Sequence, residues 1–389
     1  MRNTIGWLLA AGVLLSGCGG DVRAKISVPS GGGHSEGNAG FEAYVSAAEE
    51  VEKLAEKHIG RTAWTPDQRD FIVEASAGAI RRLSGVEGAK FGRTWSEPFG
   101  LRDHTRGWRT VGRALAWRIE SAIKREDYAD ARYCAATAVR MSNALATSDS
   151  HDAYMGLEIV DECIDALWHA LPRFDAQTAA GLSSDLARLL NQAPSSQSVV
   201  QQERSLMLAQ MKWVSDRYQA REFSEIEKTL GQAVDRAIRY LRDLAESQEE
   251  EQQAYFKGFS SEIEQEADMF SVRLGQAPAA WEEEPTLKTR AWMRFVQSFG
   301  TPWRMYVERR ASVRTRMRLL AIDAALIAQF KNTGGVPRAL SGFPAQLRTD
   351  PYSGRDFVYV SRGIDYKLYS VGPDKVDGGG DRGDISLDR

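Results

Sequence analysis

From Phe41 onward, apolar residues return every three or four positions. Phe41, Val45, Ala48, Val51, Leu54 and Ile59 line one face of a helix, with Glu and Lys between them. Thr65-Pro66-Asp67-Gln68 then reads as a helix start: a capping Thr, Pro in the first turn, an acid near the positive end, and Gln to close a capping box. Phe71, Ile72, Ala75, Ala79, Ile80 and Leu83 form the stripe that follows, and Gly85 stops it. The same periodicity predicts helices over 105–125, 127–147, 152–171, 176–191, 196–220, 223–247 and 250–274. Short polar links such as Ser148-Asp149-Ser150 and Ala193-Pro194-Ser195 separate them. Almost nothing before residue 335 alternates with the period of a strand. Residues 41–300 are therefore expected to form an all-helical domain, an antiparallel bundle or array.

The texture changes near Trp303. A long amphipathic helix is predicted to about Asn332, with Tyr306, Val313, Met317, Leu320, Ala324 and Ile327 on one face, ending at Gly334-Gly335 before Pro337. Asp350-Pro351-Tyr352-Ser353-Gly354 is a tight turn, with Asp first and Pro second as that geometry prefers. Two strands follow, Phe357 to Ser361 and Tyr366 to Val371, joined by Arg362-Gly363-Ile364-Asp365, and then a loop rich in Gly and Asp. The fold class is mainly α: a helical body followed by a small α+β module over 301–389.

The N-terminal residues have a different character. Arg2 precedes an apolar run from Ile5 to Leu15 that is too short for a permanent membrane span, and the run closes on Leu15-Ser16-Gly17-Cys18. Those four residues resemble the lipobox of bacterial lipoproteins. The resemblance implies that residues 1–17 are a signal peptide and that Cys18 carries the lipid. Gly and Ser dominate up to about residue 40, so 18–40 is expected to be a flexible tether. Gly19, where an Asp would favour the inner membrane, implies by resemblance an outer membrane if the cell has two.

The order of parts after residue 301 resembles the globular half of the type II secretion major pseudopilins. The matching positions are Gly335 with Pro337, Asp350-Pro351-Tyr352, Tyr369-Ser370-Val371-Gly372-Pro373-Asp374, Gly378 to Gly380, and Asp384-Ile385. Pseudopilins begin with a prepilin-peptidase site and an apolar assembly helix, and neither stands next to this module. The resemblance thus implies a fold and a cation loop rather than filament assembly. The whole arrangement also resembles sets of exported lipoproteins in Planctomycetes, a likeness that brings no activity with it.

Charge and candidate chemistry narrow the function further. A net charge of −3 offers no global basic field for nucleic acid. Beyond Cys18 the chain has only Cys134 and Cys163, and a helical hairpin turning near Asp149 sets them opposite each other, so a disulfide is expected. Asp161, Asp165 and His169 are spaced i, i+4, i+8 and could share a metal, or simply form a solvated, locally paired stripe. Arg310, Arg314 and Arg318 form a row flanked by Arg304, Arg309 and Arg316. The row could meet anionic lipid or an acidic partner, or pair internally with Glu249 to Glu251 or Glu282 to Glu284. No Gly-x-Ser-x-Gly elbow and no phosphate-binding Gly loop before a helix occurs.

Asp374, Asp377, Asp381 and Asp384 place four carboxylates among glycines, a pattern that could hold a structural Ca²⁺. Asp374 and Asp384 match the pseudopilin motif, and Asp377 and Asp381 enter by spacing. The expected function is that of a lipid-anchored envelope protein with a binding or structural role and an envelope protein partner. An enzyme with a groove near Asp161 to His169, and a component of a secretion or pilus-like assembly, are the alternatives.

Overall fold

The computed structural model describes residues 39–56, 64–86, 88–91, 104–230, 303–363, 365–381 and 383–386, with Ala254 and Lys257. The signal, the tether up to residue 38, the helix expected over 250–274 apart from Ala254 and Lys257, and the acidic runs at 249–251 and 282–284 lie outside them. Among the described residues the protein is mainly helical, with one small antiparallel sheet near its C-terminal end.

Helix α1 (Ala39–Glu56) buries Tyr44, Ala47, Ala48, Val51 and Ala55, and Phe41 and Leu54 pack at the edge of that stripe. The buried face is thus turned slightly from the one drawn through Val45. Helix α2 (Pro66–Ala75) starts on the expected capping box. The Gln68 N–H donates to Thr65 Oγ1 at 3.4 Å, and the Thr65 N–H donates to Gln68 Oε1 at 3.0 Å. The stripe that follows is cut in two at Ser76, giving α3 (Ala77–Ser84). Ile72, Ala79, Ile80 and Leu83 are buried, whereas Phe71 stays 43% exposed.

The centre is built by α4 (Thr105–Lys124), α5 (Tyr128–Leu145), α6 (Ser150–Trp168) and α7 (Ala176–Gln192). Connections this short force antiparallel neighbours. Asp127, Asp149 and Asp175 cap α5, α6 and α7 by accepting N–H groups of the first turn. Close approach is possible where a side chain is missing. A Cβ on Gly107 would stand 2.4 Å from the Ala48 carbonyl oxygen, and one on Gly112 would stand 2.6 Å from Ile159 Cγ1. These glycines let α4 press against α1 and α6. Helices α8 (Ser196–Gln219) and α9 (Phe223–Leu230) follow, with α8 resting on α6.

Cys134 on α5 and Cys163 on α6 are both buried, but as free thiols rather than the expected bridge. Packed helix axes usually stand about 8–10 Å apart, wider than the Cα separation of a disulfide, so facing positions on a hairpin do not suffice.

Helix α10 (Trp303–Thr333) decides the architecture. It packs along α7 and α6, and its other side carries α11 (Ala345–Arg348) and the sheet. Leu319 to Ala324 are six consecutive buried residues, so this half of the helix is enclosed all round rather than on the single face its pattern suggests. Strands β1 (Val358–Arg362), β2 (Asp365–Ser370) and β3 (Ile385–Ser386) run in the order β1-β2-β3, with Val358 opposite Tyr369 and Ser370 opposite Ile385. The terminal loop therefore returns to the sheet as β3, an element absent from the sequence reading. One continuous core runs from Tyr44 in α1 to Leu368 in β2.

Candidate functional site

Helix α10 carries six arginines, and position on the helix sorts Arg309, Arg310, Arg314, Arg316 and Arg318 by their surroundings. Arg309 and Arg316, seven residues apart, reach α6. Arg309 meets Asp161 at 2.8 Å, and Arg316 pairs with both Asp161 and Asp165 and lies over the Trp168 ring, 5.4 Å from its centre. The Asp161 side chain is only 10% exposed and holds two guanidinium groups. The acidic stripe of α6 is therefore an interhelical ion-pair network, and His169 caps the end of α6, exposed. Among the described residues no three His, Cys, Asp or Glu are grouped to hold a metal ion.

Arg310, Arg314 and Arg318 lie on another line of the same helix, and all three are half-buried. Two of them have carbonyl partners. Arg314 donates to the Pro194 oxygen at 3.5 Å and Arg318 to the Thr349 oxygen at 2.7 Å. Among the described residues no carboxylate lies within ion-pair distance of any of the three, and the Arg318 Nε is buried without a hydrogen-bond partner. Burial pushes all three guanidinium groups down from their ordinary range, and neighbouring positive charge adds to the effect at Arg314 and Arg318. Arg314 falls to about 9 and still carries its proton at neutral pH. Three partly desolvated cations that repel one another and pair with no carboxylate among the described residues are an arrangement suited to an anion.

The nearest acid felt by Arg318 is Asp350, which is 1% exposed and already engaged. Its Oδ1 accepts from the Tyr352 N–H and the Ser370 hydroxyl, both at 2.9 Å. Its Oδ2 accepts from the Ser353 hydroxyl at 3.2 Å and the Val371 N–H at 3.3 Å. Asp350 thus joins the Asp-Pro-Tyr turn to the end of β2. The turn is visible in the sequence, but this long-range role is not, because Ser370 stands twenty residues away.

The Gly/Asp loop is held by its own acids. Asp384 Oδ2 accepts the Gly380 N–H at 2.7 Å and its Oδ1 the Gly378 N–H at 3.4 Å. Asp377 Oδ1 accepts the Tyr369 hydroxyl at 2.7 Å and the Gly379 N–H at 2.9 Å, bonds that hold its carboxyl below the usual range. Asp374 accepts the Val376 N–H at 3.1 Å, while Asp381 contributes its backbone oxygen to the Asp384 N–H at 3.0 Å. Gly383, in the left-handed region at φ 89°, leaves no room for a side chain, since a Cβ there would be 2.3 Å from Asp374 Oδ2. A Ca²⁺ ion would have to displace several of these N–H donors.

Burial pushes the Cys134 thiol up to about 12 and the Cys163 thiol well above its ordinary range, so neither supplies a thiolate nucleophile near neutral pH. No helix of the described residues is long and apolar enough to cross a membrane. Cys18 lies outside the described residues.

No family model matches the chain, and no curated protein or solved structure does so either.

Proposed function

We propose that this chain is a lipid-anchored protein of the cell envelope that acts by binding through its helical body. Cys18 and the Gly/Ser-rich tether supply the anchoring half of this reading. The binding half rests on one observation: among the described residues Arg310, Arg314 and Arg318 form a half-buried cationic row with no paired carboxylate, on the same helix whose Arg309 and Arg316 are neutralised. The α6 acids are an unpromising acid–base centre, because Asp161 is held between Arg309 and Arg316.

A second reading, a component of a secretion or pilus-like assembly, draws support from the tail. There Asp350 ties together two of the motifs shared with pseudopilins, the Asp-Pro-Tyr turn and the Ser370-Val371-Gly372 segment. A structural Ca²⁺ at Asp374, Asp377, Asp381 and Asp384 would belong to either reading.

Fractionation tests the anchoring directly. Wild-type protein is expected in the membrane fraction, and Cys18→Ser in the soluble one. If Cys18→Ser stays with the membranes just as the wild type does, the lipid anchor is wrong. Cross-linking in intact membranes, followed by capture of the chain, then looks for the envelope partner.

A further inference from the structure

We infer that Arg310, Arg314 and Arg318 form a binding site for a phosphate-type oxyanion. The inference rests on the binding reading above and adds the class of ligand.

Consecutive members of the row are one turn apart, a rise of about 6 Å each, so the three guanidinium groups stand along about 12 Å of one helix line. That length accommodates either a single phosphate gathered by long side chains or a phosphodiester with a neighbouring charged group. Arginine in all three places matters, because its planar fork meets phosphate oxygens two at a time, where lysine offers only a point charge. Two of the three side chains are already fixed. The Pro194 carbonyl holds Arg314 and the Thr349 carbonyl holds Arg318, so less rotamer freedom is lost when an anion arrives.

The fold supplies its own comparison. Where α10 meets α6, packing provides Asp161 and Asp165 as counter-charges. Where α10 meets the loop before α8 and the turn after α11, the described residues provide carbonyl oxygens instead. Asp350, the acid that Arg318 feels, has both carboxylate oxygens turned to Tyr352, Ser353, Ser370 and Val371. The site is thus cationic by construction, and a bound oxyanion removes the repulsion within the row.

The test uses the full chain carrying Cys18→Ser, so that the anchor plays no part. Calorimetric titration and thermal melting are run with inorganic phosphate, with acetate at matched ionic strength as the control. Phosphate is expected to bind and to raise the melting temperature. Arg314→Gln should weaken binding by about tenfold or more, while in phosphate-free buffer it melts no lower than the parent because it relieves repulsion. Arg314→Lys, which keeps the charge and loses the fork, should fall between the two. Lys331→Gln, an exposed position on the same helix, should bind as the parent does.

A parallel arm uses phosphatidylglycerol vesicles against phosphatidylcholine vesicles. Binding of free phosphate, or of phosphatidylglycerol vesicles alone, supports the site when Arg314→Gln weakens it by that factor, and the responding arm names the source. The proposal is overturned if neither probe binds, if binding survives Arg310→Gln and Arg314→Gln, or if Lys331→Gln reduces it equally. It is also overturned if Arg314→Gln melts well below the parent without phosphate, since the row would then be internally paired. Because the anchor is scored separately by fractionation, loss of the oxyanion site leaves that result untouched.

Discussion

Asp161 and Arg314 lie on packed helices and show opposite solutions to a buried charge. Asp161 is held by two guanidinium groups, so removing its charge strands Arg309 and leaves Arg316 with Asp165 alone. Asp161→Asn is expected to cost about 3 kcal/mol, the low end for breaking a buried pair. A double-mutant cycle with Arg316→Met should show a coupling of about 1–3 kcal/mol between the two sites. Urea denaturation measures both, and additivity of the two single changes would remove the network from the account. Both residues are conspicuous in the sequence, but their pairing is not, because 155 residues separate them. Local spacing could only offer Asp165 and His169 as companions for Asp161.

The thiols make a second residue-scale case. Their raised pKa values mean that the reactive thiolate is absent until the pH climbs far above the ordinary thiol range, or until the chain unfolds. In Cys18→Ser protein, no thiol is expected to react with a chromogenic disulfide reagent at pH 8 in the native state, and two after guanidinium is added. A count of zero after denaturation would establish the Cys134–Cys163 bridge instead.

At the level of elements, local chemistry was legible where it is self-contained. The Thr65 and Gln68 capping box forms as read, since both partners sit within one turn. The start of α7 at Asp175 is equally local. The two-residue strand β3 was not legible, because a pairing so short has no period and depends on β2 being there to receive it. The Gly/Asp loop lies between these cases: the acids were visible, but their commitment to N–H groups of the same loop was not. Those bonds require ionised carboxylates. The lowered Asp377 pKa therefore marks a contribution that is present above the ordinary carboxylate range and lost as pH falls through the folded value. The Ca²⁺ proposal has a sharp readout here, because ion and N–H groups compete for the same oxygens of Asp384. At pH 7, a rise in melting temperature with millimolar Ca²⁺, reversed by chelator and absent in Asp384→Ala, would establish the site. No change on adding Ca²⁺ would retire it.

For the whole molecule, the sequence invites a division near residue 301, where helical texture gives way to turns and strands. The packing joins what that division separates. Helix α10 rests on α6 and α7 along one side and carries β2 and β3 on another, and buried residues from Tyr44 to Leu368 form one core. A helix enclosed on all sides over part of its length cannot belong to one layer alone, so damage on the sheet side should reach the helical body. Leu368 in β2 is 6% exposed and offers a direct probe. Leu368→Ala is expected to destabilise the protein by about 2–5 kcal/mol. If body and tail unfold together, the helical circular dichroism transition, which reports mostly on α1 to α9, should move as a whole to lower denaturant and remain single. Were the tail an independent domain, the helical midpoint would stay in place and only a minor early phase would appear. That outcome would restore a boundary near residue 301 and confine α10 to the tail.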